Sequence, residues 1–234
     1  MKMNIIPKDK RHFTDMGWLQ TYWLFSFSNY YDPDNMGHGK LRVFNDDVVK
    51  PGTGFPTHPH DEMEIITIVL KGEISHQDSM GNGGVIRAGE VQRMSAGTGL
   101  THSEYNEADK DLHFYQIWIL PDVKGLAPSY EQKRYAESEF KNVLFPLASG
   151  QNKAGAVSFH TDATLYRSQL EAGRQLRHHT SGDRKLFIYL TSGSLRVNGE
   201  PLSPRDQARL AGAETLELAA DHDADFILVD VPGR

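Results

Sequence analysis

The feature that most restricts the fold of this chain is a succession of short segments rich in β-branched and aromatic residues. Gly, Pro, Asn and Asp separate them at regular intervals. Predicted strands include Leu41–Asn45, Glu64–Leu70, Glu73–Asp78, His113–Leu120, Ala156–His160 and Thr164–Gln169, followed by Lys185–Leu190, Ser194–Val197, Thr215–Ala219 and Phe226–Val231. Turn chemistry lies between them: Lys71-Gly72, the run Met80-Gly81-Asn82-Gly83-Gly84, Ser192-Gly193 and Asn198-Gly199. Such spacing with almost no helical periodicity predicts an all-β protein of barrels or sandwiches. The one helical candidate is short, Ser129–Ala136.

The segment 65–81, IITIVLKGEISHQDSMG, is echoed by 185–201, KLFIYLTSGSLRVNGEP: apolar strand, glycine turn, second strand, turn. Between the two halves, Pro121–Tyr135 holds two prolines, a glycine and charged residues, which suits a connection between modules. The expected organisation is an N-terminal barrel over 1–121, a linker with the short helix over 122–135 and a C-terminal barrel over 136–234. The 234 residues, 38% hydrophobic and 24% charged, suffice for two such cores.

A net charge of −6 without clustered Lys or Arg excludes a broad nucleic-acid footprint. No cysteine is present, which excludes disulfides, zinc ribbons and thiol nucleophiles and suits a reducing compartment. No stretch is apolar over a membrane-spanning length, and the first residues lack a hydrophobic leader. The expected location is the cytoplasm.

The chemistry concentrates in PGTGFPTHPHDEMEIITIVLKG at 51–72 and GEVQRMSAGTGLTHSEYNE at 89–107. His58 and His60 stand at i and i+2, so on an extended strand both rings project to one side, and Pro59 holds His58 extended. His102 and Glu104 repeat that spacing after a glycine-rich turn. An isolated H-x-H carries little weight; a second pair of N and O donors gives it weight. Together the four predict one mononuclear site for a divalent metal: Fe, Mn, Ni, Cu or Zn.

These segments resemble the cupin motifs. Gly52, His58, His60, Glu64 and Gly72 follow G-x5-H-x-H-x3-E with one extra residue before the last glycine, and Gly89, Gly99, His102 and Asn106 follow the second motif. HPHDEMEIIT, GEISHQDSMGNGG and GEVQRMSAGTGLTHSE resemble the pirin family, a group of two-barrel cupins, over about residues 50 to 120. The resemblance is strongest to the bacterial branch with quercetin 2,3-dioxygenase activity. It implies two tandem cupin (double-stranded β-helix, jelly-roll) barrels. It also implies that the carboxylate ligand is Glu104 rather than Glu64, which an ordinary cupin would use. Glu64 then becomes a residue at the start of a buried strand, or one that orients a metal-bound histidine.

The implied reaction is oxygenative opening of the C-ring of a flavonol such as quercetin, with dioxygen as co-substrate and loss of carbon monoxide. Three neutral imidazoles and a carboxylate leave a divalent ion a net charge of about +1, which favours a deprotonated substrate hydroxyl. Glu104 would then serve as ligand and as base for that proton. The alternatives are a metal-dependent regulatory or interaction protein of the pirin type and a cupin enzyme acting on another enol. A monomer and a homodimer both suit such barrels.

Elsewhere the sequence offers less. His76 is the next candidate, on the hairpin after the first motif strand and expected near the pocket mouth. His12, His38, His113 and His160 have no partner that marks them. Trp18, Tyr22, Trp23, Phe25 and Phe27 suit core or barrel-mouth packing and could wall a flat ligand. In the second half His178 and His179 are adjacent and point to opposite faces, and His222 and Asp223 lie in a polar turn. A structural barrel without metal is expected there.

Overall fold

The computed structural model describes residues 1–233. In chain order the first half holds β1 (Lys2–Ile6), β2 (His12–Asp15), β3 (Leu19–Trp23), β4 (Leu41–Val49), β5 (Thr53–His60) and β6 (Glu64–Lys71). It continues with β7 (Glu73–Asp78), β8 (Gly83–Arg87), β9 (Glu90–Ser95), β10 (Leu100–Asn106), β11 (Leu112–Ile119) and β12 (Ser129–Arg134). A seven-stranded sheet in the order β12-β9-β6-β11-β4-β3-β2 faces a four-stranded sheet in the order β5-β10-β7-β8.

The second half holds β13 (Phe145–Ser149), β14 (Val157–Ser158), β15 (Thr164–Leu170), β16 (Gln175–His179), β17 (Arg184–Val197), β18 (Glu200–Leu202), β19 (Gln207–Ala211) and β20 (Thr215–Pro232). These form one sheet in the order β1-β19-β17-β20-β15-β13-β14, with β16 on β20 and β18 on β17. The first strand of the chain therefore completes the second sheet, pairing Met3 with Leu210 and Ile5 with Ala208.

Three expectations need correction. Ser129–Ala136 is not helical: residues 129–134 form β12, because the edge of β9 offers an unpaired ladder that local helix propensity cannot match. Register sets Glu131 opposite Arg93, and the guanidinium bonds both Ser129 Oγ and Glu131. The predicted pair 185–190 and 194–197 is one bent strand, β17, bulged between Leu190 and Leu195 instead of turning at Gly193. A Cβ at Gly193 would meet the Asp223 carbonyl, so the glycine serves close strand approach. The segments 215–219 and 226–231 likewise fuse into β20.

Strand alternation decides where each side chain goes. On β6, Ile66 and Ile68 face the second half while Ile65, Thr67 and Val69 face the first barrel's interior. On β11, Tyr115, Ile117 and Ile119 join the core shared with Phe187, Tyr189 and Ile227, whereas Phe114, Gln116 and Trp118 point inward. A continuous apolar core thus seals the two halves together along the outer face of the seven-stranded sheet. The second half's own interior is filled with aliphatic and aromatic side chains, among them Ile188, Leu190, Leu218 and Phe226.

Candidate metal centre

The four-stranded sheet brings the two H-x-[HE] pairs together. β10 lies between β5 and β7, and register sets His102 opposite His58 on one side, and Glu104 opposite His76 on the other. A bulge between His102 and Glu104 locally bends the pairing with β5. Gly54 permits this approach, since a Cβ there would run into the Glu104 carbonyl. Pro59 is exposed and its flanking histidines are half-buried, as an extended H-P-H requires.

The three imidazoles of His58, His60 and His102 converge, with ring centroids 4.4 to 4.9 Å apart. His60 Nε2 and His102 Nε2 are separated by 3.0 Å. His58 Nδ1 donates to the Pro56 carbonyl at 2.8 Å, which leaves its Nε2 with a free lone pair. Glu104 is buried; its Oε2 accepts from Gln116 Nε2 at 3.2 Å, and Thr67 Oγ1 donates to Gln116 Oε1 at 2.8 Å. The other oxygen, Glu104 Oε1, has no partner, and neither has His102 Nδ1.

Potential ligand atoms fall into two overlapping groups, each within 4.8 Å: His58, His60 and His102, and His76, His102 and Glu104. His102 belongs to both. Glu104 thus joins the His58–His60 side only through His102, and His76, the next candidate of the sequence, accompanies it. His76 lies inside the barrel rather than at the mouth: it is buried, stacks on Tyr130 at 5.1 Å and approaches Asp78 at 3.4 Å. Its signal in the sequence was its place on the hairpin after the first motif strand, and cross-strand register with Glu104 gave that place meaning.

Burial, reinforced by the neighbouring rings, pushes His102 down to about 2, and burial beside the His58 ring pushes His60 down to about 4. Burial raises Glu104 to about 7 against the opposing Gln116 bond. At neutral pH the buried rings are thus neutral donors. Neutral imidazoles beside a carboxyl oxygen with no protein partner form a donor set that fits a first-row divalent metal.

A cavity of about 360 Å³ opens beside this cluster. Trp18, Trp23, Phe27, Phe55 and Trp118 wall it, and His58, His60, Glu104 and Gln116 reach it. Trp118 meets His60 edge-on at 4.9 Å, and Trp18 meets Phe55 at 5.0 Å. Of the aromatic patch before the first motif, Tyr22 and Phe25 instead turn to the core between the halves.

Glu64 lies elsewhere. It shares the parity of Ile66 and Ile68, so its carboxylate faces the second half, where it accepts from Ser95 Oγ at 2.5 Å and from the backbone N–H of His160 at 3.1 Å. It orients no histidine of the cluster, and His160 acquires the partner that its sequence context did not reveal. In the second half His178 Nε2 lies 2.6 Å from Asp230, which Arg184 also engages, while His179 and His222 are exposed.

The chain is similar to known proteins along nearly its whole length. A family model described as Pirin matches residues 7–119, and one described as quercetinase C-terminal cupin domain matches residues 146–231. A protein of Escherichia coli K12 named quercetin 2,3-dioxygenase is 42% identical over 96% of each chain. A pirin-like protein of Caulobacter vibrioides is 43% identical over 96% of this chain and 97% of its own. The crystal structure of the E. coli bacterial pirin YhhW in complex with nickel(II) superposes with a TM-score of 0.94 at 40% identity and covers all of both chains.

Proposed function

The chain belongs to the pirin family of two-barrel cupins, and on that premise we propose that it is a metal-dependent dioxygenase that opens the C-ring of flavonols such as quercetin. His58, His60, His102 and Glu104 are the residues we assign to hold its single divalent ion. The observation that carries this reading is the cluster of three imidazoles, with buried Glu104 beside His102, next to an aromatic cavity that His58, His60 and Glu104 line. Its volume of about 360 Å³ falls within the roughly 300–1,000 Å³ of small-molecule sites.

When bound, the ion supplies Lewis acidity that lowers the pKa of a substrate hydroxyl, and a centre beside which dioxygen reacts. The protein's own groups do the rest. Trp18, Trp23 and Trp118 offer flat apolar walls that seat a planar ligand and keep water out. Glu104, poised near neutrality, can take the proton of the hydroxyl that faces it. Gln116, fixed by Thr67, holds that carboxyl in place, and the Pro56 carbonyl fixes the His58 tautomer. No helix among the described residues is long and apolar enough to cross a membrane; the cysteine-free composition favours the cytoplasm as the place of action.

The test is metal analysis of freshly purified protein followed by oxygen uptake with flavonols. Consumption should require metal and vanish in His58→Ala and Glu104→Ala. Turnover by metal-free protein would overturn the reading.

A further inference from the structure

Two buried polar side chains of the cavity each leave one oxygen without a protein partner and lie outside the histidine cluster. Asn45 and Asp47 are each 3% exposed, line the cavity, and leave Asn45 Oδ1 and Asp47 Oδ1 without any hydrogen bond. Both belong to β4 of the seven-stranded sheet, across the barrel from His58 and His60 on β5 of the four-stranded sheet. Strand alternation turns both inward and sends Asp46 to the other face.

Asp46 shows what a structural buried carboxylate requires in this protein. It accepts from Tyr189 Oη at 2.6 Å and His113 Nε2 at 2.6 Å, and meets Arg11 at 3.4 Å. Its neighbour Asp47 has only the Thr21 hydroxyl near it, and its Oδ1 stays unpaired at a cost in free energy that a ligand donor would relieve. An acceptor wall amid aromatic rings is matched by a neutral O–H donor. A cation there would need a paired, ionised carboxylate to offset its desolvation.

We propose that Asn45 and Asp47 form a second anchoring point in the cavity that receives a hydroxyl group of the ligand. This point selects aromatics that carry a further hydroxyl besides the one at the histidine cluster, placed to reach β4 where Asn45 stands opposite Gln116. The assignment rests on the flavonol reading for its choice of ligand, and it makes Asp47 and Asn45 determinants of specificity distinct from the metal-holding residues.

All three tryptophans of the chain, Trp18, Trp23 and Trp118, line this cavity, so ligand entry can be followed by quenching of intrinsic fluorescence without turnover. The probes are quercetin and 3-hydroxyflavone, which lacks the distal hydroxyls, titrated into metal-loaded protein. Wild type should bind quercetin at least about tenfold more tightly. Asp47→Leu should bring the two affinities within about threefold by weakening quercetin alone, while Asp47→Asn, which keeps an acceptor, should restore most of the preference. The unliganded Asp47→Leu protein should melt no lower than wild type, because it loses a buried carboxyl with an unpaired oxygen; should it fail to fold, the wild-type preference and the Asp47→Asn and Asn45→Leu titrations still decide. Equal wild-type affinities, or a preference that survives Asp47→Leu, would overturn the anchor. Oxygen uptake on the same samples separates the two ideas: turnover of both flavonols without preference removes the anchor and leaves the dioxygenase. Preferential binding without turnover does the reverse, and binding of neither ligand removes both.

Discussion

His60 Nε2 and His102 Nε2 face each other at 3.0 Å from neighbouring strands. Two neutral imidazoles at this separation satisfy each other only if one donates. A cation between them would be served by both lone pairs. His102 is also the ring shared with the Glu104 and His76 side of the cluster.

That shared position sets an order among substitutions. His102→Ala should lower affinity for a divalent metal by more than about 100-fold. His76→Ala, which removes a ring held by Tyr130 and Asp78, and Gln116→Leu, which frees Glu104, should cost about 10- to 100-fold. Competition against a chromophoric chelator measures all three, and an intact His102→Ala site would refute the assignment.

Glu104 makes metal uptake pH-dependent. Without metal its pKa stands near 7, so at pH 6 the carboxyl is mostly protonated and must release its proton to coordinate. His102 and His60, depressed to about 2 and about 4, are already neutral and release almost none. Calorimetry in buffers of different ionisation heat should therefore count about one proton more for wild type than for Glu104→Gln at pH 6, with the difference vanishing above about pH 8. An equal count at pH 6 would contradict the buried, protonated carboxyl.

Glu64 should behave as a structural residue. Glu64→Ala strands Ser95 and the His160 N–H at the seam between the halves and should cost about 1.5–3 kcal/mol in thermal or denaturant unfolding. Metal stoichiometry should remain that of wild type. Loss of the metal with no loss of stability would return Glu64 to the centre.

Gly97 has φ +48, and a Cβ there would strike the Leu126 carbonyl, to which Thr98 N–H donates at 2.9 Å. Gly97→Ala should destabilise the protein by about 2–4 kcal/mol and loosen the segment that leads into β12. Hydrogen exchange over 120–134 reads that loosening directly.

The sequence by itself determined the all-β class, the two-part layout and which potential donors share a strand face, because side-chain direction on a strand follows a period of two and depends on nothing beyond the strand. Placing His58 with His60, and His102 with Glu104, on single strand faces needed only that rule; the choice of Glu104 over Glu64 came from the family resemblance. Register and packing between distant segments obey no such local rule, so tertiary structure decided the rest. It placed β10 between β5 and β7 and so drew His76 to the cluster. It turned Glu64 outward with Ile66 and Ile68. It made a strand of 129–134 by offering the edge of β9, and it left one oxygen each of Asn45 and Asp47 unpaired across the cavity from the histidines. A polar side chain's partners can be a hundred residues away in sequence, as Glu64 and His160 nearly are, and only the folded chain reveals which polar atoms have found one.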